Sequence, residues 1–335
     1  MLLLIPILVF LLIALIMLAT HLARPNFSYH WLIAMASAFL VWPLVLLSGL
    51  GLPQSFSLPG WNRETLFSTT YVLQADQYSW PIALALVTLV LAMLLSSAMD
   101  ARQEKWLTWS GSCMLAAISL TAVQAGNPFT LLAAWTALDF TELTILLSQA
   151  YKSTDRQQII LTVSTRLCGS LVLIFAGVAA RSAGQILDFS AISSPLNYYL
   201  YLAALLRIGV FPLHSLNWQP HKGLGVITSL ITAGSGLILL IRTANMVVDP
   251  IYPPILLGII GLAALTTAVS WIAGRNGVAS RSFWILGMGW FVLSAAVYAK
   301  PEVALAWSLA CLLPGGLLFL SRSDQSSRFP LHLLG

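Results

Sequence analysis

The 335-residue chain is 59% hydrophobic and only 8% charged, with a mean hydropathy of +0.88. About a quarter of the residues of an ordinary soluble domain are charged, so this composition excludes that class of protein. The formal net charge of +5 does not indicate nucleic-acid binding, because the lysines and arginines cluster at the ends of apolar stretches, where such residues set membrane topology.

Eleven apolar stretches of roughly 20 residues follow one another along the chain, and each is long enough to cross about 30 Å of hydrocarbon as one helix. They lie at about 2–22, 31–51, 80–99, 106–125, 128–150, 157–180, 197–216, 224–246, 252–273, 282–299 and 302–321. The longest connection, at about 52–79, is too short for a separate domain. The pattern predicts an all-α polytopic membrane protein, a bundle of about 11 transmembrane helices in one domain over 1–335, with no nucleotide-binding or catalytic domain.

The first apolar stretch predicts a retained helix, because it has no basic residues before it and is too long for a signal peptide. Basic residues in the connections predict the topology. One set of alternate connections carries ten: Arg24, Arg102, Lys105, Lys152, Arg156, Lys222, Arg275, Arg281, Arg322 and Arg328. The other set carries four: Arg63, Arg181, Arg242 and Lys300. This asymmetry predicts an integral membrane protein with its N-terminus outside and its C-terminus on the cytoplasmic side.

Cysteine and histidine positions do not indicate a metal centre. The three cysteines, Cys113, Cys168 and Cys311, all fall in apolar stretches without CxxC spacing, which is typical of buried small hydrophobic residues. There is also no glycine-rich loop in the strand context that phosphate binding requires. We therefore expect no metal, no cofactor and no catalytic site.

Four ionisable residues fall deep within the predicted helices, and their formal charges sum to zero. Asp139 and Glu142 lie in the fifth helix, Arg166 in the sixth and Arg207 in the seventh. Because Asp139 and Glu142 are three residues apart, they share one helix face, and two carboxylates that close do not both ionise easily unless cations are near. Two interpretations remain open: a polar pathway that hydrates or relays protons, or a neutral ion-pair network that holds three helices together.

Arg207 is the most informative of these residues, because it lies in an otherwise apolar segment, Leu202–His214, beside Pro212. Proline removes a backbone donor, so the seventh helix is predicted to break near Pro212. A broken helix at membrane depth is tolerated only where it faces protein or a water-filled cavity. We add His214, just beyond the proline, to the candidate residues of the charged pathway.

The order of several short segments resembles the antiporter-like membrane subunits of respiratory complex I, multisubunit cation/proton antiporters and membrane-bound hydrogenases. The segments are Tyr71–Pro81 with Asp76 at the third helix, Asn127–Trp135 before the fifth, Ser164-Thr165-Arg166 in the sixth, Ala204–His214 in the seventh and Thr228–Gly234 in the eighth. The resemblance implies an inverted-repeat fold. Residues 1–125 would form peripheral and entry helices, 126–246 a complete first repeat, 252–321 a truncated second repeat and 322–335 a cytoplasmic tail.

The chain departs from the family at the positions that handle protons. Thr136 follows Trp135 where the family has a glutamate, and Asp139, one turn later, is the residue that could replace it. Arg207 replaces a lysine, and arginine remains protonated at any working pH. Three further positions differ. Gly169 in the sixth helix stands where the family has an acidic residue, and Thr228 or Thr232 in the eighth stands where it has a histidine. In the eleventh helix, Pro314-Gly-Gly stands where the family usually has a lysine.

The resemblance implies a membrane-arm subunit of a multisubunit proton-translocating complex such as an NADH:quinone oxidoreductase, with other membrane subunits and the lipid bilayer as partners. Such a subunit would lie in an energy-converting membrane, the bacterial plasma membrane or its equivalent. One alternative is a structural or assembly subunit that has lost the proton relay. Another is an independent secondary transporter, because charges beside a broken helix also describe a substrate site.

Overall fold

The computed structural model describes residues 2–58, 70–98, 106–150, 153–189, 196–209, 224–244, 253–273 and 277–322. These residues form eleven helices: α1 (Leu4–Ala23), α2 (His30–Ser48), α3 (Ser79–Ala98), α4 (Trp106–Val123), α5 (Pro128–Gln149), α6 (Ser153–Ser182), α7 (Asn197–Ile208), α8 (Leu224–Thr243), α9 (Pro253–Ala273), α10 (Gly277–Val297) and α11 (Pro301–Arg322). Eight of the described helices are long and apolar enough to cross a membrane, and α8 and α10 contain shorter apolar helices. The predicted all-α membrane bundle is confirmed.

The helices differ in how much of their surface the bundle covers. α4 runs through the interior, and small residues such as Gly111, Ser112 and Ala117 allow its neighbours to approach closely. α9 lies at the periphery and exposes Ile255, Leu262 and other large apolar side chains. In a bilayer, such an exposed apolar face is in contact with lipid or with another membrane protein.

A two-stranded antiparallel sheet lies between α2 and α3, with strands β1 (Gln54–Leu58) and β2 (Tyr71–Ala75). Composition did not reveal this sheet, because its strands are short and lie in a connection. β2 also contacts the α4–α5 connection, where the N–H of Gln74 donates to the carbonyl of Gln124 at 2.6 Å. The sheet therefore lies over the last turn of α4 and the start of α5, and we call this side of the molecule the sheet end of the bundle.

The start of α5 is fixed by Asn127 and Pro128. The side-chain oxygen of Asn127 accepts the N–H of Thr130 at 2.8 Å and so caps the helix, while its amide nitrogen donates to the carbonyl of Thr70 at 2.7 Å. Pro128 lies in the first turn, where backbone N–H groups have no partner within the helix, so its missing N–H removes no hydrogen bond. The cap thus ties α5, which carries both deep carboxylates, to the sheet end.

α7 is short, since its 12 residues rise only about 18 Å, less than the hydrocarbon thickness. It ends at Ile208, and Gly209 follows in the left-handed conformation with φ of 100°, which glycine adopts without strain. The helix therefore stops one residue after Arg207. The predicted break residue, Pro212, lies outside the described residues.

Two glycines allow α6 and α8 to approach the backbone of α7 next to Arg207. A Cβ on Gly169 of α6 would lie 3.0 Å from the carbonyl oxygen of Ala203. A Cβ on Gly236 of α8 would lie 2.8 Å from Ile208 Cγ1 and 3.1 Å from the carbonyl oxygen of Ala204. α7 is thus held between two glycine contacts at the level of its charged residue.

Candidate functional site: a buried charge network

The four deep charges form two ion pairs, each joining α5 to a different helix. Arg207 Nη1 lies 2.5 Å from Asp139 Oδ1, and Arg166 Nη1 lies 2.5 Å from Glu142 Oε2. The Arg207 side chain is 0% exposed and that of Asp139 is 2%, while Arg166 and Glu142 are 11% and 3% exposed. We call these four residues the charge network. It connects α5 to α6 through one pair and to α7 through the other.

Arg207 is held by more than its carboxylate partner. Its guanidinium lies 5.1 Å from the centre of the Trp135 ring, and Nη2 donates to the carbonyl of Trp135 at 3.4 Å. Its Nε donates to the hydroxyl of Ser235 on α8 at 3.4 Å. An aromatic face and neutral acceptors suit a guanidinium, which is planar and weakly hydrated compared with an ammonium. The site therefore positions a fixed cation in a defined orientation.

Helix α8 links the two ion pairs through hydroxyl groups. Thr232 donates to Glu142 Oε2 at 3.4 Å, and Ser235 donates to the carbonyl of Thr232 at 2.7 Å. Because Ser235 also accepts from Arg207, polar contacts continue from one ion pair to the other. The charge network thus forms a single polar cluster across α5, α6, α7 and α8.

The two carboxylates of the cluster lie near the middle of α5. Asp139 and Glu142 lie about 16 and 21 Å along α5 from Pro128, in a helix of 22 residues that rises about 33 Å. In an apolar environment, an ionised group without a partner is strongly unfavourable, so the pairing explains why the charges are tolerated at this depth.

Asp139 keeps one oxygen that lacks a partner among the residues that the structure describes. Oδ2 is buried and makes no hydrogen bond with any residue that the structure describes. A carboxylate oxygen can accept two hydrogen bonds, so this atom retains unused acceptor capacity, to which a proton can bind. Oδ2 is the atom of the charge network with the clearest unfilled acceptor.

The residue after Trp135 does not take part in the cluster. Thr136 is exposed on the outer face of α5, and its hydroxyl donates to the carbonyl of Ala133 in its own helix. Asp139, one turn later, is the residue that faces α7. The position that resembles the family's glutamate therefore points away from the network, and the inward position is occupied by Asp139.

The sequence predicted the four charges but not the groups that surround them. Trp135, Thr232 and Ser235 were missed as site residues. Their spacing gives only a weak signal: Trp135 lies one turn before Asp139 on α5, and Thr232 and Ser235 lie on α8 together with Arg242. Two predicted site residues, Pro212 and His214, lie outside the described residues. Among the residues that the structure describes, no three His, Cys, Asp or Glu side chains come close enough to hold a metal ion.

Two solved structures share this fold over nearly the whole chain. One is the membrane-bound sulfane sulfur reductase (MBS), an archaeal respiratory membrane complex, with a TM-score of 0.77 and 15% identity over 96% of this chain. The other is the Mrp complex from Dietzia sp. DQ12-45-1b, with a TM-score of 0.69 and 15% identity over 95% of this chain. The match spans 57% and 37% of those two chains. No protein-family model and no curated protein match the sequence.

These likenesses show that this chain shares its fold with a chain in each of two membrane complexes, and the resemblance is confirmed at the level of fold. This chain corresponds to little more than half of one matched chain and to about a third of the other.

Proposed function

We propose that this chain is a membrane-arm subunit of a multisubunit complex, and that it takes part in proton translocation through the charge network or is coupled to it. The fold supports the first part, since both matched structures are membrane complexes. The observation that carries the second part is the buried Oδ2 of Asp139, which has no partner among the described residues and lies on the carboxylate paired with the fixed cation of Arg207. The proposal assigns the partners to other membrane subunits within an energy-converting membrane.

The two carboxyl groups are the proton carriers in this proposal. Arginine stays protonated far above any working pH, so Arg166 and Arg207 cannot release a proton to the pathway. Asp139 and Glu142 can, and they lie one helical turn apart on the same face of α5. The arginines then act as fixed positive charges beside the two carboxyl groups.

The relay step follows from the geometry of the Asp139–Arg207 pair. A proton that binds Oδ2 neutralises the carboxylate and weakens the Coulombic attraction to Arg207. The guanidinium, which still contacts Ser235, is then drawn towards the remaining carboxylate at Glu142 through the α8 hydroxyls. Loss of the proton restores the first ion pair. Each cycle moves one proton on and off Asp139 and changes no covalent bond of the protein.

A second function is favoured by the one-to-one pairing of the charges. Each carboxylate has its own arginine at 2.5 Å, and the four charges sum to zero, which is also the arrangement of a static network that holds α5, α6 and α7 together. In that case the chain is a structural or assembly subunit without a working relay. Removal of charge without loss of assembly separates the two functions.

The test is proton flux through the assembled complex in proteoliposomes, measured for Asp139→Asn and Glu142→Gln. We expect both variants to assemble and to change the flux at least tenfold, because each removes a proton carrier without changing side-chain size. Glu302→Gln is the matched control, since Glu302 is exposed at the start of α11. Parental flux in both assembled variants would contradict the relay and leave the structural function.

The proposal also includes an orientation, with the sheet end of the bundle outside and the opposite end on the cytoplasmic side. The distribution of basic residues supports it, because ten lie in the connections assigned to the cytoplasmic side and four in those assigned to the outside.

A further inference from the structure

Trp135 and Arg207 are the two largest side chains that are fully buried in the described part of the chain, and they contact each other. The Arg207 guanidinium lies 5.1 Å from the centre of the indole ring, and its Nη2 also donates to the carbonyl of Trp135 at 3.4 Å. One residue of α5 therefore binds the guanidinium through both its side chain and its backbone.

Burial alone does not account for a tryptophan at this position. The indole N–H of Trp135 is buried and makes no hydrogen bond with any residue that the structure describes, although a buried indole N–H usually has a partner. A phenylalanine or a leucine can fill interior space without leaving such a donor unpaired. What tryptophan adds is its ring face, which attracts a cation more strongly than the face of phenylalanine or tyrosine, above all where water is excluded. The contact with Arg207 is therefore the property of Trp135 that distinguishes it at this site.

The position of Trp135 on α5 favours one carboxylate of the charge network over the other. Trp135, Asp139 and Glu142 are spaced by four and three residues, so they share one face of the helix. Along the helix axis, Asp139 is about 6 Å from Trp135 and Glu142 is about 10 Å from it in the same direction. A guanidinium held on the Trp135 ring is therefore nearer to Asp139 than to Glu142.

Charge attraction alone does not keep Arg207 on Asp139. A cation beside two carboxylates is attracted to both, because the Coulomb energy falls only as the inverse of the distance. Arg166, which pairs with Glu142, repels a second cation, but repulsion does not fix where Arg207 lies. The ring and the carbonyl of Trp135 supply a fixed contact, and neither of them changes when Asp139 gains or loses a proton.

We propose that Trp135 is a positioning residue of the charge network, whose ring face keeps the guanidinium of Arg207 on Asp139 and away from Glu142. This inference rests on the proposed function, in which Arg207 is drawn towards Glu142 when Asp139 is protonated. The contact with Trp135 opposes that shift and returns the guanidinium to Asp139 when the proton leaves. Trp135 thus acts through Arg207 and carries no proton itself.

The first measurement weakens the ring face while nearly preserving the size of the side chain. Tryptophans with one, two or three fluorine atoms on the six-membered ring are incorporated in place of Trp135, and thermal unfolding of the detergent-solubilised complex is recorded. Fluorine withdraws electron density from the ring face, so we expect the unfolding temperature to fall by roughly 1 °C for each fluorine added. The control is the same series at Trp109, which is 2% exposed on α4 and makes no cation–π contact with any described residue.

The fluorine series is then repeated in a variant that carries Asp139→Leu and Arg207→Leu together. This variant lacks the cation beside the ring, so we expect its unfolding temperature to be independent of fluorine. An unfolding temperature that does not depend on fluorine in the parental protein would overturn the inference. So would an equal dependence with and without Arg207, because the effect would then come from packing of the ring.

The second measurement determines which carboxylate Arg207 depends on. Asp139→Asn and Glu142→Gln are each made with tryptophan and with trifluorotryptophan in place of Trp135. A weakened ring lets Arg207 move towards Glu142, so we expect Glu142→Gln to lower the unfolding temperature more than before and Asp139→Asn to lower it less. Any other pattern would overturn the positioning role. Because neither measurement needs proton flux, a wrong assignment of Trp135 is distinguishable from a wrong relay at Asp139, which the flux test detects.

Discussion

Arg207 on α7 and Asp139 on α5 are 68 residues apart in sequence, yet Nη1 and Oδ1 lie 2.5 Å apart with both side chains buried. Both charges are shielded from bulk water, since the Arg207 side chain is 0% exposed and that of Asp139 is 2% exposed. A buried charge that loses its partner is far less stable than one that keeps it. Three predictions depend on that relationship or on the packing that enforces it.

Removal of one member of the pair is expected to be more harmful than removal of both. Asp139→Ala leaves the guanidinium of Arg207 buried without its carboxylate, which lowers the free energy of unfolding by about 3–5 kcal/mol. Asp139→Leu combined with Arg207→Leu removes both charges and is expected to recover most of that loss. Thermal unfolding of the detergent-solubilised complex measures both. Equal unfolding temperatures for the single and double variants would contradict a strong pair.

Arg207→Lys is expected to assemble, because an ammonium can still pair with Asp139. It cannot keep the contacts that the planar guanidinium makes with the Trp135 carbonyl and Ser235, so stability falls by about 1–2 kcal/mol through lost hydrogen bonds. Size-exclusion chromatography and thermal unfolding test this. The control is Arg24→Lys, since Arg24 is exposed. Failure of Arg207→Lys to assemble would mean that the several N–H donors of the planar guanidinium are essential to folding.

The glycine contacts around α7 predict a large difference between chemically identical substitutions. Gly236→Ala places a Cβ 2.8 Å from Ile208 and 3.1 Å from a backbone oxygen, so α7 and α8 must separate, at a cost of about 1–3 kcal/mol. Gly258→Ala, on the outer part of α9, meets nothing within 4 Å and is expected to be neutral or slightly stabilising. Thermal unfolding compares the two, and a Gly236→Ala variant as stable as Gly258→Ala would contradict the close packing.

The sequence predicted the membrane class, the number of helices and the residues of the charge network, because hydrophobic length and intramembrane charge are strong local signals. It could not assign the ion pairs, since helical spacing gives a face but not its neighbour on another helix. The pairing of Asp139 with Arg207 and of Glu142 with Arg166 depends on how α6 and α7 pack around α5.

Other features were hidden for different reasons. The end of α7 is set by the left-handed conformation at Gly209, and many glycines in this chain lie inside helices, so the residue type alone does not identify a helix end. The ion pair of Asp76 with Arg242 joins the β2–α3 connection to the last turn of α8. Neither Asp76 nor Arg242 appears unusual in sequence, because charged residues at helix ends are common in membrane proteins.

The orientation of the bundle can be tested by two matched serine-to-cysteine substitutions. Ser57 is exposed on β1 at the sheet end, and Ser28 is exposed in the α1–α2 connection at the opposite end of α2. The α1–α2 connection belongs to the set of alternate connections that carries ten basic residues, and the opposite set carries four. This excess predicts that Ser28 is cytoplasmic and Ser57 is outside. In intact cells, with the native cysteines replaced, a membrane-impermeant maleimide is therefore expected to label Ser57→Cys and to label Ser28→Cys only after lysis. The reverse pattern would show that the sheet end faces the cytoplasm, and labelling of both thiols in intact cells would contradict a single orientation.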